Sequence, residues 1–329
     1  MVVNTHLSTS DSRSHAASRM LVRAAALLAC AAAIVGAAGR PARQANALFE
    51  FHSNPWLNLH HILWARGERA TPPADMADAE RSAWNEGLAF YAPYAKRNLL
   101  FDEELLKIKE ALRTVETEIS LDGVAIDAGV KSTLERLMPI YRKHWWPAHD
   151  RTNREWTAAA RKLLDRHGAA LNAAIARAYG VTPDNPVWVD VAVYAHPNGA
   201  YTTTRPTHVA ISSTDSGYAG YAALEMLFHE RSHAWGRMLF DGVTETAIAQ
   251  GVKTPPQLSH AILFYTAGEL TSRELKQHGI EYKHYAQGGL YDVLCGTGCG
   301  DRLAVHWRPF LDGQRTRAEA FAALVASFK

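Results

Sequence analysis

Three cysteines in 329 residues are too few for a disulfide-stapled scaffold. Past residue 47 no apolar run approaches the roughly 20 residues that a membrane-crossing helix needs, so that part of the chain carries no transmembrane candidate. It also holds no internal repeat and no low-complexity stretch, which excludes a solenoid or a biased tail. Excess charge of either sign is lacking too: 35 Lys and Arg stand against 33 Asp and Glu, a formal +2. Residues 1–47 contribute five Arg and one Asp of this, so the remainder stands at +2 − 4 = −2. That near-neutral balance offers no electrostatic case for nucleic acid or for anionic membrane partners.

The first 47 residues read as targeting rather than fold. Arg19 and Arg23 precede an uncharged apolar run, Ala24 to Ala38, and a small-residue stretch then ends in Ala45-Asn-Ala47. This is the pattern of a secretory signal peptide with an A-x-A cleavage site, so the mature chain is expected to begin at Leu48, outside the cytoplasm, periplasmic or secreted, with no membrane anchor after cleavage. Its 329 − 47 = 282 residues suffice for one large domain or two small ones. Of the cysteines only Cys295 and Cys299 remain, in Cys-Gly-Thr-Gly-Cys, and export makes a short disulfide the expected state of this pair.

Leu48 to Pro73 reads as a lead-in rich in aromatics, with His60-His61 in it. Residues 48–180 are then mostly helical by period, with amphipathic stretches at Glu103–Leu112 and Ala158–His167 and a turn at Leu121-Asp-Gly123. The character changes at Pro183. Val187 to Tyr194 alternates with period two and predicts a strand, and His208 to Ser213 predicts a second, with a turn or edge strand between them. Helices follow, one from about Pro256 to Gln277 and shorter ones after Gly300. The expected fold class is α+β and predominantly helical, with a small sheet preceding a metal-binding helix in residues 181–329.

That helix is the centre of the chain's chemistry. Residues 229–233 read His-Glu-Arg-Ser-His, an H-E-x-x-H inside the proline-free, largely apolar stretch Ala222 to Phe240. On a helix, positions four apart share a face about 6 Å apart along the axis, so His229 and His233 can meet one ion. Glu230, one step round, can take a proton from water on that ion. With 16 histidines in the chain the motif is within reach of chance. A buried setting distinguishes it, because two histidines and a glutamate inside an apolar helix are costly without a partner.

Catalytic zinc takes three protein ligands and leaves one position open. The metzincin pattern fails: Gly236 fits, but Leu239 stands where its third histidine belongs, and no Met follows Met238. Strands, then the H-E-x-x-H helix, then a helix with Tyr265-Thr-Ala-Gly-Glu-Leu resemble a gluzincin metallopeptidase. The resemblance covers residues 187–277 and rests on one sharp motif. It departs at Arg231, where an uncharged residue is usual, and at Arg273, four positions after Glu269. The resemblance implies Zn²⁺ held by His229, His233 and Glu269, with Glu230 as general base in hydrolysis of a peptide or protein substrate. Glu274, His260 and Glu245 are the other candidates for third ligand. The bland alternative for Glu269 is a partly buried carboxylate paired with an arginine. Tyr265, His284, Tyr285 and Tyr291 are candidate oxyanion donors.

Two rival readings use the same residues. Glu230-x-x-His233 and Glu281-x-x-His284 together resemble the paired motif of di-iron carboxylate bundles, although Gly279 leaves little room for a helix and its return. A non-catalytic exported scaffold is the other, with the aromatic segment Tyr141–His149 as its surface. The expectation for that segment, and for His60, His61, His144 and His149, is ordinary packing.

Overall fold

Val187–Ala192 (β2) forms the strand that its alternation predicts, and Thr207–Ser212 (β4) the second. Between them Ala200–Thr204 (β3) pairs antiparallel with β4 and makes one edge of the sheet. A fourth strand, Phe49–His52 (β1), lies in the segment read from sequence as a lead-in. It pairs parallel with β2, and β2 pairs parallel with β4, giving the order β1-β2-β4-β3. In a computed structural model, residues 48–182 and 186–329 are described, so the expected signal peptide lies outside the described residues. The fold is α+β and predominantly helical.

The period of two divides the core. Val187, Val189 and Val191 join Phe49, Val209 and Ile211 on one face. Against it lie Trp146–Leu163 (α5), Ala169–Tyr179 (α6), Tyr221–Ser232 (α7), Gly236–Gln250 (α8) and Leu258–Gln277 (α9). The short C-terminal helices Leu290–Cys295 (α10), Cys299–His306 (α11), Arg308–Leu311 (α12) and Arg317–Ala326 (α13) complete that side. Tyr201 and Ala210 face the other cluster, built on Pro55–Trp64 (α1), Asp78–Tyr91 (α2), Glu103–Arg113 (α3) and Ala128–His144 (α4). Because β1 precedes α1 and pairs with β2, the described residues from Leu48 to Lys329 belong to one compact unit. The boundary near Gly180 is thus a change of secondary structure and not a break between bodies.

Local chemistry accounts for the ends of these elements. Asn54 caps α1 by accepting from the backbone N–H groups of Trp56 and Leu57, with Pro55 at the first helical position. Gly180, left-handed at φ 66°, closes α6. Cys295 and Cys299 are disulfide-bonded and join α10 to α11, which fits an oxidising compartment. No helix among the described residues is long and apolar enough to cross a membrane.

Candidate metal centre

The motif lies on α7, which is buried on all sides from Ala223 to Ser232. The helix ends sooner than the sequence suggests. His233–Trp235 is a 3₁₀ turn and α8 starts at Gly236, with Ser232 Oγ donating to the Phe228 carbonyl at 2.7 Å in place of a solvent contact. His233 keeps right-handed helical backbone angles, φ −58° and ψ −26°, so the one-face geometry of positions 229 and 233 survives.

His229 and His233 meet through their Nε2 atoms at 3.2 Å. The third group beside them is His260 from the first turn of α9, its Nε2 at 3.3 Å from that of His229. Zn–N bonds of about 2.0–2.1 Å would put ligand atoms of a tetrahedron about 3.3–3.4 Å apart, so both spacings to His229 match a zinc site, and all three donor atoms lie within 4.8 Å of one another. Burial holds all three in the neutral form that a metal requires. It lowers His229 well below the usual histidine value, helped by His233 and His260, takes His233 to about 3 and takes His260 to about 4. Phe264, four residues after His260 on α9, stacks on the His229 ring at 3.7 Å between centroids and 21° between planes. That contact fixes the ring's plane where His229 Nδ1 has no hydrogen-bond partner among the described residues.

Glu269, expected from the resemblance as third ligand, does not join this group. Nine residues from His260 is about 13 Å along α9 and half a turn round it, so one helix cannot turn both toward α7. Its carboxylate instead takes Arg273 Nε at 2.8 Å, with Arg308 Nη2 at 3.4 Å and His284 Nε2 at 3.5 Å. Burial works to raise its pKa, but His284 and the two arginines outweigh it and hold the group at about 2. The arginine-paired alternative describes its surroundings. Tyr265 and Tyr291 belong to the same neighbourhood, Tyr265 with Arg308 and Tyr291 with His284. Of the four expected oxyanion donors, Tyr285 is the one whose ring lies by Phe264, at 6.2 Å between centroids. Glu245 is exposed on α8, and Glu274 bonds His167 and His278 near the far end of α9. Glu281 and His284 sit on an irregular segment, not on a helix, so the di-iron bundle pattern is not formed.

Glu230 points from α7 to the edge strand. Thr202 Oγ1 on β3 donates to its Oε2 at 2.5 Å. Burial raises the carboxyl to about 7, against the pull of Thr202 and of the Lys109 ammonium. Arg231, the charged residue unusual in the motif, turns away: it donates to the Leu48 carbonyl at 2.8 Å and lies over the Phe49 ring. Its charge serves the join between α7 and β1.

Sequence reasoning missed Thr202 and Lys109. Thr202 lies in the region read as a turn or edge strand, and no local pattern announces a hydroxyl facing a helix. Lys109 left a signal, since it occupies the apolar stripe of α3 with Leu105, Ile108 and Leu112. It is fully buried, donates to the His208 carbonyl at 2.8 Å and sits 4.2 Å from the centre of the Tyr201 ring. Burial takes its pKa from 10.5 to about 7, offset in part by Glu110, Asp190 and Glu230, with Arg113 adding to the lowering. Between those two values the unfolded chain holds the extra proton, so this residue makes the protein more stable as pH rises from about 7 toward 10.5. Lys109→Met should therefore be the more stable protein at pH 7, by an amount on the order of a few kcal/mol. Paired urea melts should show that advantage shrinking toward pH 10, and an advantage that grows with pH would refute the account.

The expected structural histidines behave as such: His60 bonds the Tyr91 hydroxyl at 3.1 Å, His61 the Tyr201 hydroxyl at 2.8 Å, His144 Glu80 at 2.8 Å and His149 the Tyr141 hydroxyl at 3.0 Å. Compared with known proteins, the chain matches no family model, no curated protein and no solved structure. The site therefore stands on its own geometry.

Proposed function

We propose that this chain is an exported, periplasmic or secreted, zinc-dependent metallopeptidase with His229, His233 and His260 as ligands and Glu230 as general base. The observation that carries the reading is the convergence of three neutral imidazoles, His229 buried and His233 and His260 half-buried, with His229 Nε2 3.2 and 3.3 Å from the other two, next in sequence to a buried carboxylate. Three nitrogen ligands with a fourth position open are the donor set of catalytic rather than structural zinc. Bound there, the metal supplies Lewis acidity and lowers the pKa of a coordinated water toward about 7.

The protein's own groups supply the rest. Thr202 holds Glu230 Oε2, which leaves Oε1 to accept the proton of the attacking water and return it to the leaving amine. Burial that raises Glu230 toward neutrality suits both halves of that transfer, since a group with a pKa near the working pH both takes and gives. β3 supports a peptide as substrate: it is the sheet edge, its outer side is unpaired among the described residues, and it carries Thr202. An extended chain laid along such an edge gains backbone hydrogen bonds beside the site. The test is hydrolysis of denatured casein or a quenched-peptide library by the purified protein. Cleavage should vanish with a zinc chelator and return with zinc alone. Protein that takes up no zinc, or a chelator-insensitive activity, would end this reading.

A further inference from the structure

The same face of α9 that presents His260 in its first turn presents Glu274 near its last, fourteen residues or about 21 Å further along, and His278, the residue that caps the helix, follows one turn later. Across from them a π-helical turn, Leu164–Gly168, interrupts the run from α5 into α6 and carries His167. Such turns insert an extra residue into a helix and recur where a side chain must be aimed. His167 Nδ1 and His278 Nε2 each lie 3.1 Å from one oxygen, Oε1 of Glu274, and the three donor atoms lie within 4.8 Å of one another. The two rings stand edge to face, 4.8 Å between centroids.

We propose that His167, Glu274 and His278 form a second binding site for a divalent cation of the zinc type, separate from the centre on α7. Charge supports it. Glu274 is buried, and among the described residues no Lys or Arg nitrogen lies within 4.0 Å of it, unlike Glu269 with its two arginines. A buried carboxylate lacking a cationic partner is costly, and a divalent ion between it and two imidazoles removes the cost. The donor set, two nitrogens and one carboxylate oxygen, is one that zinc accepts, and spacings of 3.1 Å are close to those of its coordination sphere. Access is provided from one side: His167 is wholly buried, while the His278 side chain is 45% exposed, so an ion enters and is completed by water there. Its role is to tie the α5–α6 junction to the C-terminal end of α9, the helix whose other end supplies His260.

This site is independent of the proposed peptidase centre, and metal counting separates the two. Zinc-loaded, desalted wild-type protein should hold about two zinc ions per chain, since each three-donor site takes one. His278→Ala, at the half-exposed helix end, should hold about one and keep its peptide hydrolysis, and Glu274→Gln should do the same. His229→Ala/His233→Ala should also hold about one, with hydrolysis gone. One zinc per chain in wild type, unchanged by His278→Ala and Glu274→Gln, would overturn the second site and leave the peptidase reading intact. One zinc lost only in the His278 and Glu274 variants would support the second site and end the peptidase reading. Protein that holds none overturns both.

Discussion

His260→Ala should release the metal from the α7 centre, while Glu269→Ala should keep it. Removing one of three protein ligands from an open site leaves two imidazoles, too few to hold zinc through dialysis. The expected loss at His260 is therefore as large as at His229 or His233, and peptide hydrolysis goes with it. Glu269→Ala breaks a different structure, the cluster that joins α9 to α12 through Arg308 and to Asp312 through Arg273. Its cost should appear in stability, on the order of 1–3 kcal/mol for a mostly buried charged hydrogen-bond partner, with zinc affinity near that of wild type. Zinc titrations of refolded apo-protein, read beside thermal melts, distinguish the two. Zinc lost from Glu269→Ala and retained by His260→Ala would restore the carboxylate as ligand and refute the arrangement of α9 described above.

How far the sequence disclosed this site follows from what is local and what is not. The motif helix is marked by its apolar, proline-free run, the strand at Val187 by its alternation, and its partner near His208 and the long helix ending at Gln277 by composition; each forms, although the motif helix stops at Ser232. The strand Phe49–His52 carries no such mark, because its pairing partner lies more than 130 residues away and four residues are too few to alternate visibly. The third ligand fails for a related reason. Motif spacing fixes two histidines on one helix, but which face of α9 meets α7 is decided by packing. The resemblance favoured Glu269, mid-helix among apolar and small neighbours. Yet Arg273, one turn on, was the mark of an i,i+4 ion pair, and Phe264, one turn after His260, was the mark of an apolar face turned inward. Reading those two pairs against each other points to His260. Thr202 and Lys109 are harder: they approach Glu230 from β3 and from α3, and only the assembled sheet brings them there.

Glu230→Gln should leave zinc bound at the three histidines and reduce peptide hydrolysis by roughly 10²- to 10⁴-fold, the usual reach of a positioned general base. The amide keeps the shape of the side chain and can still accept from Thr202 Oγ1, so α7 and β3 should stay in register. What it loses is the ability to take a proton at Oε1. Thr202→Val provides the companion measurement, because it removes the hydroxyl that orients the carboxylate and leaves the carboxylate itself. Its effect should be smaller, about tenfold, and should fall on kcat more than on KM, since Thr202 acts through Glu230 rather than on the substrate. If Glu230→Gln lowered zinc content in step with activity, the residue would be a ligand or a structural support, and the division of labour between three imidazoles and one base would have to be abandoned. If hydrolysis survived with zinc in place, the proton would have to move through another group, and Lys109, whose charge already acts on Glu230, is a titratable candidate on the sheet side of the site.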